Sequence, residues 1–299
     1  MPSTFPSSLL PLPPNVFAVI LAGGSGTRFW PKSRHNRPKQ LCQIGDSEHT
    51  MIELTLRRLD GLVPSDRRII VTHIDQLPET RSITQGLCDH YLAEPFAKNT
   101  ANALALAALE VEQLAKQKGI ADPIMLSLHA DALIKRMDVF TDTLVAMVAS
   151  AQKGHLTLLG ITPEYPETGY GYIEKGAALS GLNATFKVNS FREKPDIQIA
   201  TDYIKTKRFL WNSGIFAWQI EVILGELKTF IPNSVMALGE ALGAKTSFSQ
   251  LPKDLFARTY QSLQSIAIDP AVLEKSQKAS VVEADIGWKD VGSWDALAH

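Results

Sequence analysis

Residues 19–41 read VILAGGSGTRFWPKSRHNRPKQL. Four apolar or small residues run into three glycines, Gly23, Gly24 and Gly26, and then into five cations, Arg28, Lys32, Arg34, Arg37 and Lys39, with no acid among them. The whole chain carries 30 Lys and Arg against 31 Asp and Glu, a net charge of −1, so the cationic burst is local. Uncompensated positive charge beside a backbone that a ligand can approach closely is chemistry for a polyanion. Three glycine-loop arrangements would serve. A P-loop needs G-x-x-x-x-G-K-[ST], a spacing absent here. A dinucleotide turn needs G-x-G-x-x-G running into a helix, and Pro31 and Pro38 keep residues 28–39 from being one uninterrupted helix. The third is an extended loop around a nucleoside triphosphate, with backbone N–H groups near base and phosphates and Arg or Lys at the anionic end. A plain strand-to-helix turn with solvated cations stays open beside it.

The elements that would position such a loop follow from the pattern of apolar residues. VFAVILA, closed by glycine, reads as a strand buried on both faces. TMIELTLRRLDGL has helical spacing and ends at a glycine, and RRIIVTH reads as the next strand. NTANALALAALEVEQLAKQKG is an Ala- and Leu-rich helix with Asn99 or Thr100 as its cap and Gly119 as its stop. PIMLSLHAD, VFTDTLVAMVASAQKG and HLTLLGIT continue as strand, helix and strand. This alternation predicts a mostly parallel sheet covered on both faces. Further on, ATFKVNSFREKP and RFLWNSGIFAWQ read as strands around a short helix at IQIATDYIKT, and a helical region runs from about Ile220 to Glu274. No linker breaks the chain, so a single α/β domain over residues 16–299 with a small substrate-binding lobe is expected, behind a flexible Pro-rich leader at residues 1–15.

Composition removes several classes. With 45% hydrophobic and 20% charged residues in 299 positions, the chain is an ordinary globular protein. The balanced charge gives no general nucleic-acid-binding surface. No apolar run approaches the roughly 20 residues of a membrane helix. Cys42 and Cys88 form neither a disulfide framework nor a zinc pattern. A cytoplasmic location is expected.

The stretch LAGGSGTRFWPKSRHNRPKQL resembles the signature of the sugar-1-phosphate nucleotidyltransferases, in the form found in mannose-1-phosphate guanylyltransferases. EPFAKNTANALALAA, LHADALI, PETGYGYIEKG, FREKP, WNSGIFAW and DIGWKDVGSWDAL extend the resemblance, in order, to the end of the chain. It implies a Rossmann-like nucleotidyltransferase fold, three-layered, with a mixed but mostly parallel sheet. It implies transfer from GTP to α-D-mannose 1-phosphate, giving GDP-mannose and pyrophosphate, with Mg²⁺ as cofactor. Arg28 would contact the β and γ phosphates, and Lys39 would neutralise charge where the two substrates' phosphates meet. Leu21, Ala22, Gly23, Gly24, Gly26 and Thr27 would line the nucleotide, with Asn99 and Thr100 beside the base. Gly171, Glu193, Lys194, Asn212 and Gly214 would receive the sugar phosphate.

Asp131, at a strand end, and Asp290 would hold the metal, with Asp285 as second candidate for the latter's role. Where the family usually has Pro-Ala-Asp-His, this chain has His129-Ala130-Asp131-Ala132, and His129 reads as locally structural. Trp211, Trp218, Trp288 and Trp294 read as packing. Relatives usually continue into a β-helix or cupin-like domain that this sequence does not include. A monomer or small homo-oligomer such as a dimer is therefore expected. A catalytically silent subunit that binds GDP-mannose is the rival reading, and the same chemistry on another sugar phosphate or nucleotide a lesser one.

Overall fold

The computed structural model describes residues 12–24, 38–43 and 47–290. Gly26, Thr27, Arg28, the cations at 32, 34 and 37, and Trp294 lie outside the described residues.

Strand β1 (Val16–Ala22) is buried along its whole length. Phe17, Val19 and Leu21 enter one hydrophobic core, whereas Ala18, Ile20 and Ala22 enter a second on the opposite face. The two-residue period of a strand accounts for that division, and burial on both sides accounts for the unbroken apolar run. Strands β2 (Arg68–His73) and β4 (Ile124–His129) flank β1 in parallel, and β3 (His90–Glu94) lies parallel beyond β2. On the other side of β4, β9 (Phe209–Gln219) is inserted antiparallel between β4 and β6 (Leu156–Ile161). β10 (Ala279–Glu283) follows β6 in parallel, and β8 (Thr185–Glu193) and β7 (Gly171–Ala178) complete the order 3-2-1-4-9-6-10-8-7. Seven of this sheet's nine strands point one way, with β8 and β9 running against them. The sheet is thus mixed and mostly parallel, as expected.

Helices cover both faces. α3 (Asn99–Lys118), α6 (Ile220–Phe230), α7 (Pro232–Leu242) and α8 (Lys253–Ser262) feed the first core. α1 (Met51–Arg57), α4 (Met137–Ala151) and α5 (Ile197–Thr206) feed the second. Thr50 and Glu53 form a reciprocal capping box at the start of α1, worth about 1 kcal/mol. Gly119 stops α3 in the left-handed region at φ 64°.

Three expectations need adjusting. α1 stops at Arg57 and the chain turns before Gly61. The long helical region is broken where Pro232 starts a new helix. The described end of the supposed leader is packed: Leu12 is buried in the second core, the Asn15 side chain donates to the Asp122 carbonyl at 2.6 Å, and Arg67 donates to the Pro14 carbonyl. The apolar Leu12 and the backbone groups of Pro14 and Asn15 find partners in the fold, so residues 12–15 belong to the domain edge.

Candidate active site

A two-stranded ribbon outside the main sheet sets the geometry. β5 (Ala132–Ile134), just past the end of β4, pairs antiparallel with β11 (Trp288–Asp290), with Asp290 opposite Ala132. That register carries Asp290 from the far end of the described chain to the side of Asp131. Lys39 Nζ stands between the two carboxylates, 3.3 Å from Asp131 Oδ2 and 3.4 Å from Asp290 Oδ1. Its side chain is 7% exposed, because Lys39 sits in a buried single turn of 3₁₀ helix after Pro38. Burial pushes the Asp290 carboxyl above its ordinary range, Asp131 adds to the rise, and Lys39 opposes it. Asp285 is placed elsewhere, in an exposed ion pair with Arg136 at 2.6 Å.

Beside this trio opens a cleft of about 530 Å³ at the carboxyl ends of the parallel strands, the position at which ligands collect in open α/β sheets. Ala22, Gly23 and Gly24 form one wall. Gln40, next to Lys39, also lines the cleft and holds that wall: its Nε2 lies 2.8 Å from the Ala22 carbonyl, 3.1 Å from that of Gly24 and 3.1 Å from Gln76 Oε1, three acceptors sharing two N–H groups. With the carbonyls engaged on that side, the glycine segment is fixed before any ligand arrives. Lys98, Asn99 and Thr100 also line the cleft. Asn99 adopts φ 66° and its side chain accepts the Thr100 N–H at 2.8 Å. Thr100 does not cap α3, since its hydroxyl accepts the Ile268 N–H at 2.9 Å. Lys98 donates to the Gln261 carbonyl at 2.8 Å. The last turn of α8 and the segment after it thereby clamp the start of α3.

Two residues at this cleft escaped the sequence reading. Glu94 ends β3 and lines the cleft, buried, with its carboxyl pushed up to about 7 by burial. Tyr260, from α8, donates to Glu94 Oε1 at 2.6 Å. The other oxygen lies against the glycine wall: a Cβ at Gly23 would meet Glu94 Oε2 at 2.9 Å, so a side chain there would push the Glu94 carboxylate aside. A lone acid at a strand end before Pro95 was the available signal. Tyr260 offered none, being 166 residues away.

The residues expected for the sugar phosphate do not line that cleft. They gather across β7, β8 and β9. Glu193 Oε2 lies against the Gly171 backbone, and Glu193 Oε1 stands 3.3 Å from Lys194 Nζ. Lys194 holds φ 45°, an uncommon conformation for a side-chain-bearing residue. Asn212 Oδ1 accepts the Gly214 N–H at 3.1 Å. Gly214 has φ 73°, and a Cβ there would meet the His129 ring at 2.7 Å. His129, which also lines the cleft, thus forms the seam between the two groups of residues. Tyr165, Tyr170, Trp211 and Trp288 make edge-on contacts at 5.0–5.3 Å between β9 and β11, and Trp211, Trp218 and Trp288 are buried as packing residues.

The chain belongs to the nucleotidyl transferase family, whose model matches residues 17–299. It is 37% identical over 285 residues to the mannose-1-phosphate guanylyltransferase of Klebsiella pneumoniae, covering 93% of this chain and 58% of that protein. The chain therefore spans a little over half the length of that relative. Among solved structures, the mannose-1-phosphate geranyltransferase of Thermus thermophilus matches with TM-score 0.83 at 33% identity, over 95% of this chain and 78% of that one. The mannose-6-phosphate isomerase of Helicobacter pylori matches with TM-score 0.73 at 26% identity, over 92% of this chain and 99% of that one. Among the described residues, no helix is long and apolar enough to cross a membrane.

Proposed function

We propose that the chain joins mannose 1-phosphate to GTP, releasing pyrophosphate and forming GDP-mannose. The observation that carries this reading is the Lys39–Asp131–Asp290 trio beside the glycine-walled cleft. The Klebsiella relative's name and the sequence motifs support the choice of substrates.

In this reading a phosphate oxygen of mannose 1-phosphate attacks the α-phosphorus of GTP, and the bond from that phosphorus to the β-phosphate's bridging oxygen breaks. Pyrophosphate takes the bonding pair and leaves in line. The protein's part is positioning and charge neutralisation. Lys39 sits where the two substrates' phosphates would meet, and its ammonium lowers the repulsion between them. Arg28 keeps its role at the β and γ phosphates as a proposal outside the described residues.

Two carboxylates converging on one cation suit a divalent ion that takes the rest of its oxygen ligands from substrate phosphates. Among the described residues no cluster of three or more metal-ligating side chains exists, so Asp131 and Asp290 are the protein ligands proposed for Mg²⁺. The ion would supply neutralisation of the phosphate charge at the site of transfer. The ammonium already held between the two acids supports a site suited to positive charge.

Glu94 supports guanine. A buried carboxylate beside Gly23 can accept both donors, N1–H and N2–H, that guanine presents along one edge, and these favour its charged form. Uracil, thymine and adenine present one such donor group next to an acceptor, which the second oxygen repels. The backbone of Ala22, Gly23 and Gly24 would complete base contacts. On the sugar side, Lys194 is assigned to the phosphate, and Glu193 and Asn212 to hydroxyls.

The test is pyrophosphate release from mannose 1-phosphate with GTP, ATP, UTP or dTTP, with and without Mg²⁺. Metal-dependent release with GTP is expected, and at least 100-fold less with the others. No release with any nucleotide, together with measurable GDP-mannose binding, would overturn the enzymatic reading in favour of a binding subunit.

A further inference from the structure

Asp269 lies in none of the motifs, yet it reaches the sugar-side cluster from the helical region. It opens a π-helical turn (Asp269–Leu273), in which its carbonyl accepts the Glu274 N–H at 3.0 Å. Such turns are rare and recur at functional sites. Ala271, Val272 and Leu273 anchor this turn in the first core. At its start, Asp269 Oδ1 accepts a hydrogen bond from Asn212 Nδ2 at 2.9 Å.

That contact decides how Asn212 can be used. An amide side chain has one oxygen and two N–H donors. Gly214 donates to the oxygen and Asp269 accepts from the nitrogen, so the amide has one orientation and no flip satisfies both partners. The second N–H and an oxygen lone pair remain for a ligand. The strand irregularity helps aim it: pairing of β6 with β9 shifts between Leu158 and Gly160, and Asn212 stands at the edge of that bulge. Burial raises the proton affinity of Asp269, Glu193 from β8 and Glu274 from the end of the turn add to the rise, and Lys194 pairs with Glu193.

We propose that Asp269 is a positioning residue for the sugar phosphate: by fixing the Asn212 amide it presents one N–H to a hydroxyl oxygen of a hexose 1-phosphate. The inference rests on the assignment of Asn212 to the sugar side made above. Because Asp269 stands away from the nucleotide cleft, its loss is felt by one substrate alone.

The experiment is steady-state kinetics of the full chain with both substrates varied. Asp269→Ala is expected to raise KM for mannose 1-phosphate at least 10-fold, with KM for GTP within twofold and kcat lowered less than fivefold. Asp269→Asn, whose amide oxygen can accept the same N–H, should restore KM to within threefold of the parent. In an Asn212→Ala background, Asp269→Ala should add less than twofold. Equal rises in both KM values, or the same penalty with and without Asn212, would overturn the proposal. If Asp269→Ala does not fold, Asp269→Ser, too short to reach Asn212, carries the same expectations. A parent chain that turns over no sugar 1-phosphate would remove the functional assignment itself, and this inference with it.

Discussion

Lys39 and Lys194 are both assigned to phosphate, yet they are held in opposite ways. The Lys39 side chain is 7% exposed and stands between two carboxylates, whereas that of Lys194 is 63% exposed and has one acid, its own neighbour, at 3.3 Å. A charge removed from water acts at low effective dielectric and needs no rearrangement when substrate arrives. An exposed pair contributes about 0–1 kcal/mol and is easily exchanged for a better partner. The side proposed for the nucleotide is therefore built in advance, with Gln40 and Tyr260 bracing it, while the side proposed for the sugar keeps an exposed lysine able to swing onto a ligand.

The sharpest way to break this contrast is to neutralise Lys39. Lys39→Met leaves Asp131 and Asp290 facing each other without their shared cation. Turnover is expected to fall about 10³-fold, the scale of one preorganised charge contact in a transition state. Thermal melting should drop modestly as well, since removing the buried cation leaves two part-exposed carboxylates, partly screened by water, facing each other. If pyrophosphate release stayed within fivefold of the parent, Lys39 would have no place between the phosphates.

A smaller effect belongs to Glu94. Glu94→Gln replaces one acceptor oxygen by a donor, and the preference for GTP over ATP should shrink about 100-fold, read as a ratio of kcat/KM values. The same variant reports on stability. The Glu94 carboxyl rises from an ordinary 4.5 to about 7 on folding, so between those values the folded chain binds more protons than the unfolded one. Stability from this group is therefore lost as pH rises through that window, by about 1–3 kcal/mol once pH exceeds 7. Melts should show Glu94→Gln more stable than the parent at pH 8 and indistinguishable from it near pH 4.5. Asp269, also pushed to about 7 by burial and by Glu193, leaves a residual slope in both proteins.

What could be read from sequence follows the same division. The apolar run Val16–Ala22, the glycines after it and the cations beyond are local signals, and they pointed to a strand ending in a loop suited to a polyanion; that Lys39 among those cations is one for the phosphates was implied by the resemblance. Asp131 stood out at a strand end, a place where an acid alone reads as a cap or turn residue, and the resemblance is what made it a metal candidate. Its meeting with Asp290 depends on the β5–β11 pairing across more than 150 residues, which the resemblance implied and no local pattern carries. Tyr260 and Asp269 left no trace, because a helix that sends one side chain across to a distant carboxylate or amide looks like any amphipathic helix. The helical region after Ile220 was thus legible as covering and illegible as machinery. The boundary at Leu12 was missed for a related reason: prolines describe what a segment cannot form, and Leu12 shows what it packs against.

Lys194→Met makes the smallest change and tests the other half of the contrast. The side chain is mostly in water and paired at the surface, so its loss should leave melting within 1 °C of the parent. KM for mannose 1-phosphate should rise about tenfold, the effect of one charge-assisted contact with phosphate, while KM for GTP stays within twofold. The φ of 45° at this position belongs to the backbone and persists in the variant, so the turn that carries the side chain is not what is being tested. Adding salt separates the two lysines further. Screening at 0.5 M should weaken sugar-phosphate binding in the parent more than in Lys194→Met, whereas the shielded Lys39 site should respond little. If raised salt instead shifted KM for the sugar phosphate equally in both proteins, Lys194 would be a bystander, and the sugar side would hold its phosphate with another group.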